Sequence, residues 1–473
     1  MKVLGIDFGT TSFGGCIFDA RDGSAAFLSK PNTCRRAIGL RREFDIDQVR
    51  ADLFGFIDLM DETFDLSEVK AVSVTGNMHS FLLARHGKPI TDIITWQDER
   101  VLDEYLKGQS YVDFINETYG EYFSRYQPMV SSGYAVTTLL HLLDTEENLK
   151  GSGLTDCSLH FAPDFIVQEL IGNETYAVDR ALTDHSLAHS SGLYAIEHQG
   201  WNQGLINALG YGELNLPRIA EPGTFVGSIG EHVPALRGVP IFLGMGDNQA
   251  SVFGVMTGSN GGVARATLQD PHALVLNMGT SGQVSAIVTG DKGPSRFFDH
   301  RPFLDGAVLL VGASLACGRA MEAVKDFLQD AAQVICGEVV DDELAYKTIT
   351  QSILPESPLK FRTTLNGTRY SPEMRGAITN IDLSNLSLAN LVTATAYGVV
   401  EELHEYYEAM EIDCTRIIGV GNALRKNLFF VEIVEQVFGK DVYVSEIDEA
   451  ASYGAALCAM RGLSQEGRQD DGE

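Results

Sequence analysis

Basic residues are scarce in this chain. Its 473 residues hold 35 Lys and Arg against 64 Asp and Glu, a formal net charge of −29, and no sustained Lys/Arg block occurs. That balance argues against nucleic acid and anionic membrane as partners and is expected of a solvated acidic surface. Cysteine is sparse as well: Cys16, Cys34, Cys157, Cys317, Cys336, Cys414 and Cys458 are odd in number, include no Cys-x-x-Cys, and several lie in apolar runs. Reduced buried thiols are expected rather than a disulfide framework. No apolar run is long enough to span a bilayer and no basic-then-apolar leader opens the chain, so a cytoplasmic protein is expected.

Apolar material is plentiful. With 44% hydrophobic residues in a chain longer than one core usually organises, two domains are expected. The stretch that organises the rest is Leu4 to Asp19, LGIDFGTTSFGGCIFD. An apolar run delivers Asp7 to a turn of Gly9, Thr10 and Thr11, and a second strand-like run leaves through Cys16, Ile17 and Phe18. Glycine lets backbone amides approach an oxyanion, the hydroxyls add donors, and a neighbouring carboxylate can hold Mg²⁺ directly or through water. Val275 to Val288 repeats the plan as strand, Gly279-Thr280-Ser281 and strand, with Asn277 standing where Asp7 stands. The first copy keeps a metal-competent carboxylate, whereas the second keeps only neutral donors and acceptors suited to phosphate. Either turn alone could equally be a plain hairpin.

Other polar clusters end apolar runs. Ala71 to Thr75 reads as a strand closing in Thr75-Gly-Asn-Met-His-Ser80, and open α/β sheets place ligands at such strand ends. On that stretch alone His79 is favoured as structural. Thr95-Trp-Gln-Asp-Glu-Arg100 sets Trp96 to lie on the apolar face of a sugar, with Gln97, Asp98 and Arg100 to bond its hydroxyls. The bland alternative is a helix start with a buried Trp and salt-bridged charges. Lys30, Arg35, Arg36, Arg41 and Arg42 form an isolated basic cluster, read as a solvated loop in preference to a phosphate contact. Asp247, at the end of a strand from Pro240, would by itself be read as a helix N-cap. His185 and His189 are four apart in a polar segment that looks irregular, and no third metal ligand is evident.

LGIDFGTTS, GNMHS, TWQDER, GMGDNQAS at Gly244 to Ser251, LNMGTSG and GVGNALRKN occur in an order and spacing that resemble the FGGY family of carbohydrate kinases over nearly the whole chain. Within it TWQDER, LNMGTSG and GVGNALRKN look most like the sedoheptulokinase branch. The chain departs from the usual family pattern at Asn77, Ser80 and Asn248, and its 417–427 loop lacks three successive glycines.

The resemblance implies an α/β fold of two actin-like ATPase (ribonuclease H-like) domains facing a central cleft. Residues 1–238 would be the sugar-binding domain with the first phosphate and Mg²⁺ turn, and 239–473 the domain with the catalytic Asp and the ATP site. It implies ATP-dependent phosphorylation of a primary hydroxyl on a ketose, sedoheptulose first, with xylulose or ribulose as alternatives. Asp247 would be the general base and Asp7 would hold Mg²⁺ through water. Gly9, Thr10, Thr11, Gly279, Thr280 and Ser281 would steady phosphates, and Gly312, Gly421, Asn422 and Asn427 would meet the nucleotide. Asn77, Met78, His79, Trp96, Gln97, Asp98 and Asn248 would hold the sugar. Sugar and ATP are the expected small-molecule partners, with a homodimer as one open assembly. Two other readings share the scaffold: an ATP-driven chaperone or filament protein, for which the cluster at 76–100 has no use, and a binder of sugar without turnover.

Overall fold

The apolar run Lys2–Phe8 becomes an inner strand of a sheet because both of its faces are covered. In the computed structural model, which describes residues 1–150, 153–172, 181–258, 272–368, 370–371 and 373–470, it pairs antiparallel with Ser12–Asp19 and parallel with Val69–Gly76. The full sheet order is Phe225–Ser228, Pro240–Phe242, Val69–Gly76, Lys2–Phe8, Ser12–Asp19, Ser24–Pro31. Helix Ile46–Phe64, N-capped by Asp45, lays Val49, Leu53, Phe56, Ile57 and Met60 on one face of it. The C-terminal helix Ala450–Asp470 covers the other. Strand alternation is visible at single residues: a Cβ on Gly14 would meet Glu449 at 3.2 Å, and one on Gly15 would meet Met60 and Phe56 at 2.8 Å. A second sheet orders Cys157–Phe161, Phe81–Arg85, Ile93–Ile94, Arg41–Phe44 and Arg35–Ile38.

The chain forms two compact units. The first contains Met1–Gln269, Arg301–Val308 and Ile447–Glu473, and the second Asp270–His300 and Leu309–Glu446. The first unit thus runs past the boundary at 238/239 expected from the resemblance. Strand Pro240–Phe242 is hydrogen-bonded to Val69–Gly76, with Ile241 beside Val72 and Phe242 beside Ser73, so it completes the first sheet rather than starting a new one. The helix it leads into, Asp247–Gly258, packs on the C-terminal helix through glycines: a Cβ on Gly454 would lie 1.9 Å from the carbonyl oxygen of Ala250. Asp247 therefore belongs to the first unit.

In the second unit Val308–Ser314, Gly282–Val288, Leu274–Met278, Ile417–Val420 and Val442–Val444 are sheet neighbours in that order. Helices Cys317–Cys336, Leu388–Ala409 and Leu428–Phe438 accompany them. The long helix buries Val392, Thr395, Val399 and Leu403, as its periodicity predicts. The segment 182–190, expected to be irregular, is instead a strand, Leu182–Asp184, and a helix, His185–Ser190. The reason is local: Asp184 accepts hydrogen bonds from the N–H groups of Ser186 and Leu187 and caps that helix. In the Phe361 to Pro372 loop, Arg369 and Pro372 lie outside the described residues. Among the described residues no helix is long and apolar enough to cross a membrane.

Candidate active site

In the first unit the two stretches picked out as ligand-facing are joined by main chain. Gly76 and Gly246 form a parallel β-bridge, so GNMHS and GMGD leave the sheet side by side. Thr75 Oγ1 donates to the carbonyl of Met245 at 2.5 Å. A Cβ on Gly246 would meet Met78 Cγ at 2.6 Å, which is why buried Met78 fills that space and is not free for a sugar.

Asp7 stands one residue before the end of its strand, opposite Gly14 and beside Thr75. Its Oδ1 is buried and has no hydrogen-bond partner. Burial pushes its carboxyl well above the usual carboxylate range, and the charges of Asp247 and Glu449 push it further. Asp247 opens its helix, its Oδ1 accepting from the N–H of Asn248 at 2.8 Å. Burial raises its pKa to about 6, opposed by that N–H, by the Arg301 guanidinium and by the N–H of Met78. Arg301 Nη1 also donates to Asn248 Oδ1 at 3.1 Å, which orients that amide.

The charges of Asp247 and Glu449 raise the proton affinity of Asp7, so a cation beside Asp7 would be stabilising. No group of three or more metal-ligating side chains is formed among the described residues. An orphaned carboxylate oxygen with further carboxylates nearby, but no closed protein cage, suits Mg²⁺, which keeps several waters and takes few protein ligands. Glu449 was missed by sequence reasoning. Its only signal was a carboxylate immediately before a Gly-Ala-Ala helix.

The Gly9 turn is closed by the Gly9 N–H donating to Ser12 O at 3.0 Å, and Asn32 Nδ2 holds the Gly9 carbonyl at 3.0 Å. Thr10 Oγ1 donates to Asn77 Oδ1 at 2.6 Å and accepts from Trp96 Nε1 at 3.0 Å. Thr11 is exposed, its carbonyl accepting from the N–H of Asn32. The turn, GNMHS and TWQDER are thus one hydrogen-bonded assembly.

Within it the polar residues divide. Asn77, 1% exposed, donates Nδ2 to Phe8 O at 2.7 Å and accepts from Thr10, so its amide secures the turn and has little left for a sugar. Asp98, fully buried, accepts from Arg100 Nε at 2.7 Å, from Arg100 Nη2 at 2.9 Å and from the Arg42 N–H at 2.7 Å. Asp98 and Arg100 are therefore structural, since a saturated carboxylate cannot also read a hydroxyl. Trp96 is 47% exposed and Gln97 is exposed, so these two remain available. His79 sits at φ 65°, strained for a non-glycine, with its N–H on Ser190 Oγ at 2.9 Å and its ring edge-on to Tyr134 at 4.5 Å. His185 Nδ1 lies 2.8 Å from the Tyr194 hydroxyl.

The second unit repeats the hairpin with one residue fewer. Asp7 pairs across to Gly14, whereas Asn277 pairs to Gln283, and the Gly279 N–H closes onto Ser281 O at 3.0 Å. The N–H groups of Gly318 and Arg319 donate to the carbonyls of Gly279 and Thr280, seating helix Cys317–Cys336 behind the turn. Gly421, at φ 95°, passes so close that a Cβ would stand 2.4 Å from Met278 O and 2.8 Å from Asn277 Oδ1. Strand end, turn and the 417–427 loop therefore meet. Asn422 is exposed at the start of a short helix, while Asn427 Nδ2 is held by Ala423 O at 3.0 Å. Gly312 packs against Tyr406, whose Cβ would lie 2.4 Å from an added methyl, so packing explains this glycine without a nucleotide.

Comparison with known proteins agrees with this anatomy. The FGGY family of carbohydrate kinases, N-terminal domain, matches residues 2–254, and the corresponding C-terminal domain matches residues 274–463. Sedoheptulokinase of Mus musculus is 27% identical over 507 aligned residues, covering 98% of each chain. Sedoheptulokinase of Homo sapiens is 25% identical and covers 97% of each. The crystal structure of xylulose kinase from Rhodospirillum rubrum superposes with a TM-score of 0.80 at 18% identity, covering 98% of this chain and 90% of that one, a likeness of fold.

Proposed function

The chain belongs to the FGGY family of carbohydrate kinases, and we propose that it transfers the γ-phosphate of ATP to a primary hydroxyl of a ketose, sedoheptulose in the first place. The observation that carries this reading is the buried, unpartnered Asp7 Oδ1 beside Asp247 and Glu449, at the foot of a Gly-Thr turn. A chain that only bound sugar would have no need of a buried carboxylate whose proton affinity two further carboxylates raise.

Asp247 serves as the base. An ordinary Asp is a weak one, but burial brings its pKa to about 6, close to the working range for taking a proton from a hydroxyl as its oxygen attacks phosphorus. The N–H groups of Asn248 and Met78 fix the carboxylate, and Arg301 fixes Asn248. Asp7 would hold Mg²⁺ through water with Glu449 supporting it; when bound, the ion supplies charge neutralisation for the phosphates. The Gly9 and Gly279 turns supply N–H groups and hydroxyls to phosphate oxygens, and the Gly421 loop with exposed Asn422 takes the nucleoside. Trp96 and Gln97 are the sugar-facing pair. Positioning and electrostatics supply most of the rate in such a transfer.

The test is ADP release with Mg-ATP across sedoheptulose, D-xylulose, D- and L-ribulose and glycerol. One ketose should raise the rate well above the sugar-free level. Asp247→Ala should lose on the order of 10²-fold or more of that rate while still binding ATP. A wild-type chain that binds ATP but responds to no sugar refutes the kinase reading for this panel; full activity in Asp247→Ala refutes the base.

A further inference from the structure

Arg35 and Arg36 of the basic cluster are solvent-exposed, as expected, but the segment is strand rather than loop. Arg35–Ile38 and Arg41–Phe44 are paired strands, and they border a cavity of about 410 Å³ whose lining includes Asn32, Arg35, Arg42 and Gln97. The hairpin register sets Arg35 opposite Phe44 and Ala37 opposite Arg42. Residues directly opposite share a face, so Arg35 and Arg42 project from the same side as diagonal neighbours, within reach of one shared ligand for side chains of that length.

Their charges are unanswered, unlike those around them. Arg36 is paired with Asp45 and Asp92, Arg41 with Glu146, and Arg100 with Asp98 and Glu43. Glu43, the carboxylate of the cavity lining, is thus engaged by Arg100. The Arg35 guanidinium has no hydrogen-bond or ion-pair partner among the described residues, and Arg42 reaches only the carbonyls of Gly39 and Arg41, both through Nη1. Two like charges on one hairpin face repel each other, and a chain of net charge −29 has carboxylates in excess to neutralise them. An oxyanion between them removes the repulsion and accepts from planar, multidentate donors.

A second, independent observation points to hydroxyls. Asn32 is 5% exposed, its Nδ2 is fixed on Gly9 O, and that donation sets the amide so that Oδ1 is an acceptor; this buried Oδ1 has no donor. A lone acceptor, an exposed Gln97 amide and two unpaired guanidiniums around one cavity match a chain of hydroxyls ending in an anion.

We propose that this cavity is a binding site for a polyhydroxy anion, a sugar acid or a sugar phosphate, with the carboxylate or phosphate between Arg35 and Arg42 and a hydroxyl donating to Asn32 Oδ1. Asp7, Asp247 and Glu449 do not line this cavity, which shares Gln97 with the proposed sugar-facing pair, and its occupancy does not require turnover. Through Asn32 it touches the carbonyl of Gly9, so its ligand contacts the first phosphate turn through one side chain.

The test is calorimetric titration of the full chain, without nucleotide, with D-gluconate, D-fructose 6-phosphate, neutral D-fructose and inorganic phosphate. At least one of the two polyhydroxy anions should bind about 10-fold or more tightly than D-fructose, and less tightly as salt rises. Which of them binds tells carboxylate from phosphate. Arg35→Gln should weaken that binding about 5- to 10-fold and Arg35→Gln/Arg42→Gln abolish it, with binding of D-fructose unchanged. Anions that bind no better than D-fructose, or binding that survives both substitutions, overturn the proposal. Inorganic phosphate matching fructose 6-phosphate overturns the polyol part and leaves a plain anion patch. Should the double variant misfold, Arg35→Gln decides, because that guanidinium has no partner to lose. A failure of the kinase reading shows separately, in ADP release by the wild-type chain.

Discussion

The N–H of Gly246 donates to the hydroxyl oxygen of Ser186 at 2.7 Å. That hydroxyl in turn donates to Asp184 Oδ2 at 2.7 Å. The Met245–Gly246 peptide, one unit before Asp247, is therefore held by a buried carboxylate through one serine. Burial raises Asp184 to about 6, while the Ser186 hydroxyl and the N–H groups of Ser186 and Leu187 pull it back down.

Ser186→Ala leaves the Gly246 N–H buried without its acceptor and strips Asp184 of one donor. A loss of about 1–3 kcal/mol in stability is expected. Because the affected peptide lies one unit before Asp247 and helps place it, turnover should fall about 10-fold with the KM for ATP nearly unchanged. Thermal unfolding and steady-state kinetics check both; a variant with lowered stability but unaltered kcat would show that the serine only packs.

The Asp247 carboxyl shifts from 3.8 to about 6 on folding, so the native state binds its proton more tightly than the unfolded state does. Stability contributed by this group is intact below pH 3.8 and declines as pH rises to about 6, levelling beyond it. The cost at neutral pH is on the order of 1–3 kcal/mol. Asp247→Asn should accordingly be more stable than the parent above pH 6, with the gain vanishing toward pH 4, when melting curves are compared across pH. The same ionisation sets activity: kcat should rise about tenfold per pH unit below 6 and flatten above it. A rate indifferent to pH between 5 and 7 would contradict the assignment.

Trp96 and Trp201 are the two tryptophans of the chain. Trp201 Nε1 is bonded to Pro217 O, whereas Trp96 is 47% exposed with Nε1 on Thr10. Sugar binding should change the emission of Trp96 and leave that of Trp201 alone, which Trp96→Phe and Trp201→Phe separate by fluorescence titration. Trp96→Phe keeps a flat ring but frees Thr10, so KM for sugar should rise about 10-fold, more than kcat falls.

Gly421 and Gly439 both have positive φ, 95° and 63°. Their surroundings differ: a Cβ at Gly421 would lie 2.4 Å from Met278 O, while nothing stands within 4 Å of one at Gly439. Gly439→Ala should cost only the left-handed backbone penalty, about 1–2 kcal/mol, and leave ATP binding intact. Gly421→Ala must displace the loop from the turn strand and should weaken ATP binding about 10-fold or more, read by titration with ATP alone.

The residues that were legible before the structure share a property. Asp7, Gly9 and Thr10, with their counterparts Asn277, Gly279 and Thr280, lie within single strand-turn-strand units, where alternation and glycine speak for themselves. Helices Ile46–Phe64 and Leu388–Ala409 likewise carry their buried apolar residues at helical spacing, a local property of the sequence. Asn77 and Asp98 looked as free as Trp96 and Gln97, because whether an amide or carboxylate is available depends on partners elsewhere in the chain. Thr10 and Phe8 take up Asn77, and Arg42 helps take up Asp98. The strand Pro240–Phe242 was legible as a strand but not as a member of the first sheet, since its partner Val69–Gly76 is far away in sequence.

By itself the sequence determined the repeated Gly-Thr hairpin, the order of the motifs and the elements that carry them, because short-range sterics and hydrophobic spacing are local quantities. Only the tertiary structure decided that Glu449 stands beside Asp7, that Asp247 belongs to the first unit, and that Arg35 and Arg42 share a cavity with Asn32. Charge, burial and hydrogen-bond saturation are properties of a neighbourhood, and the neighbourhood of Asp7 is assembled from segments that lie hundreds of residues apart.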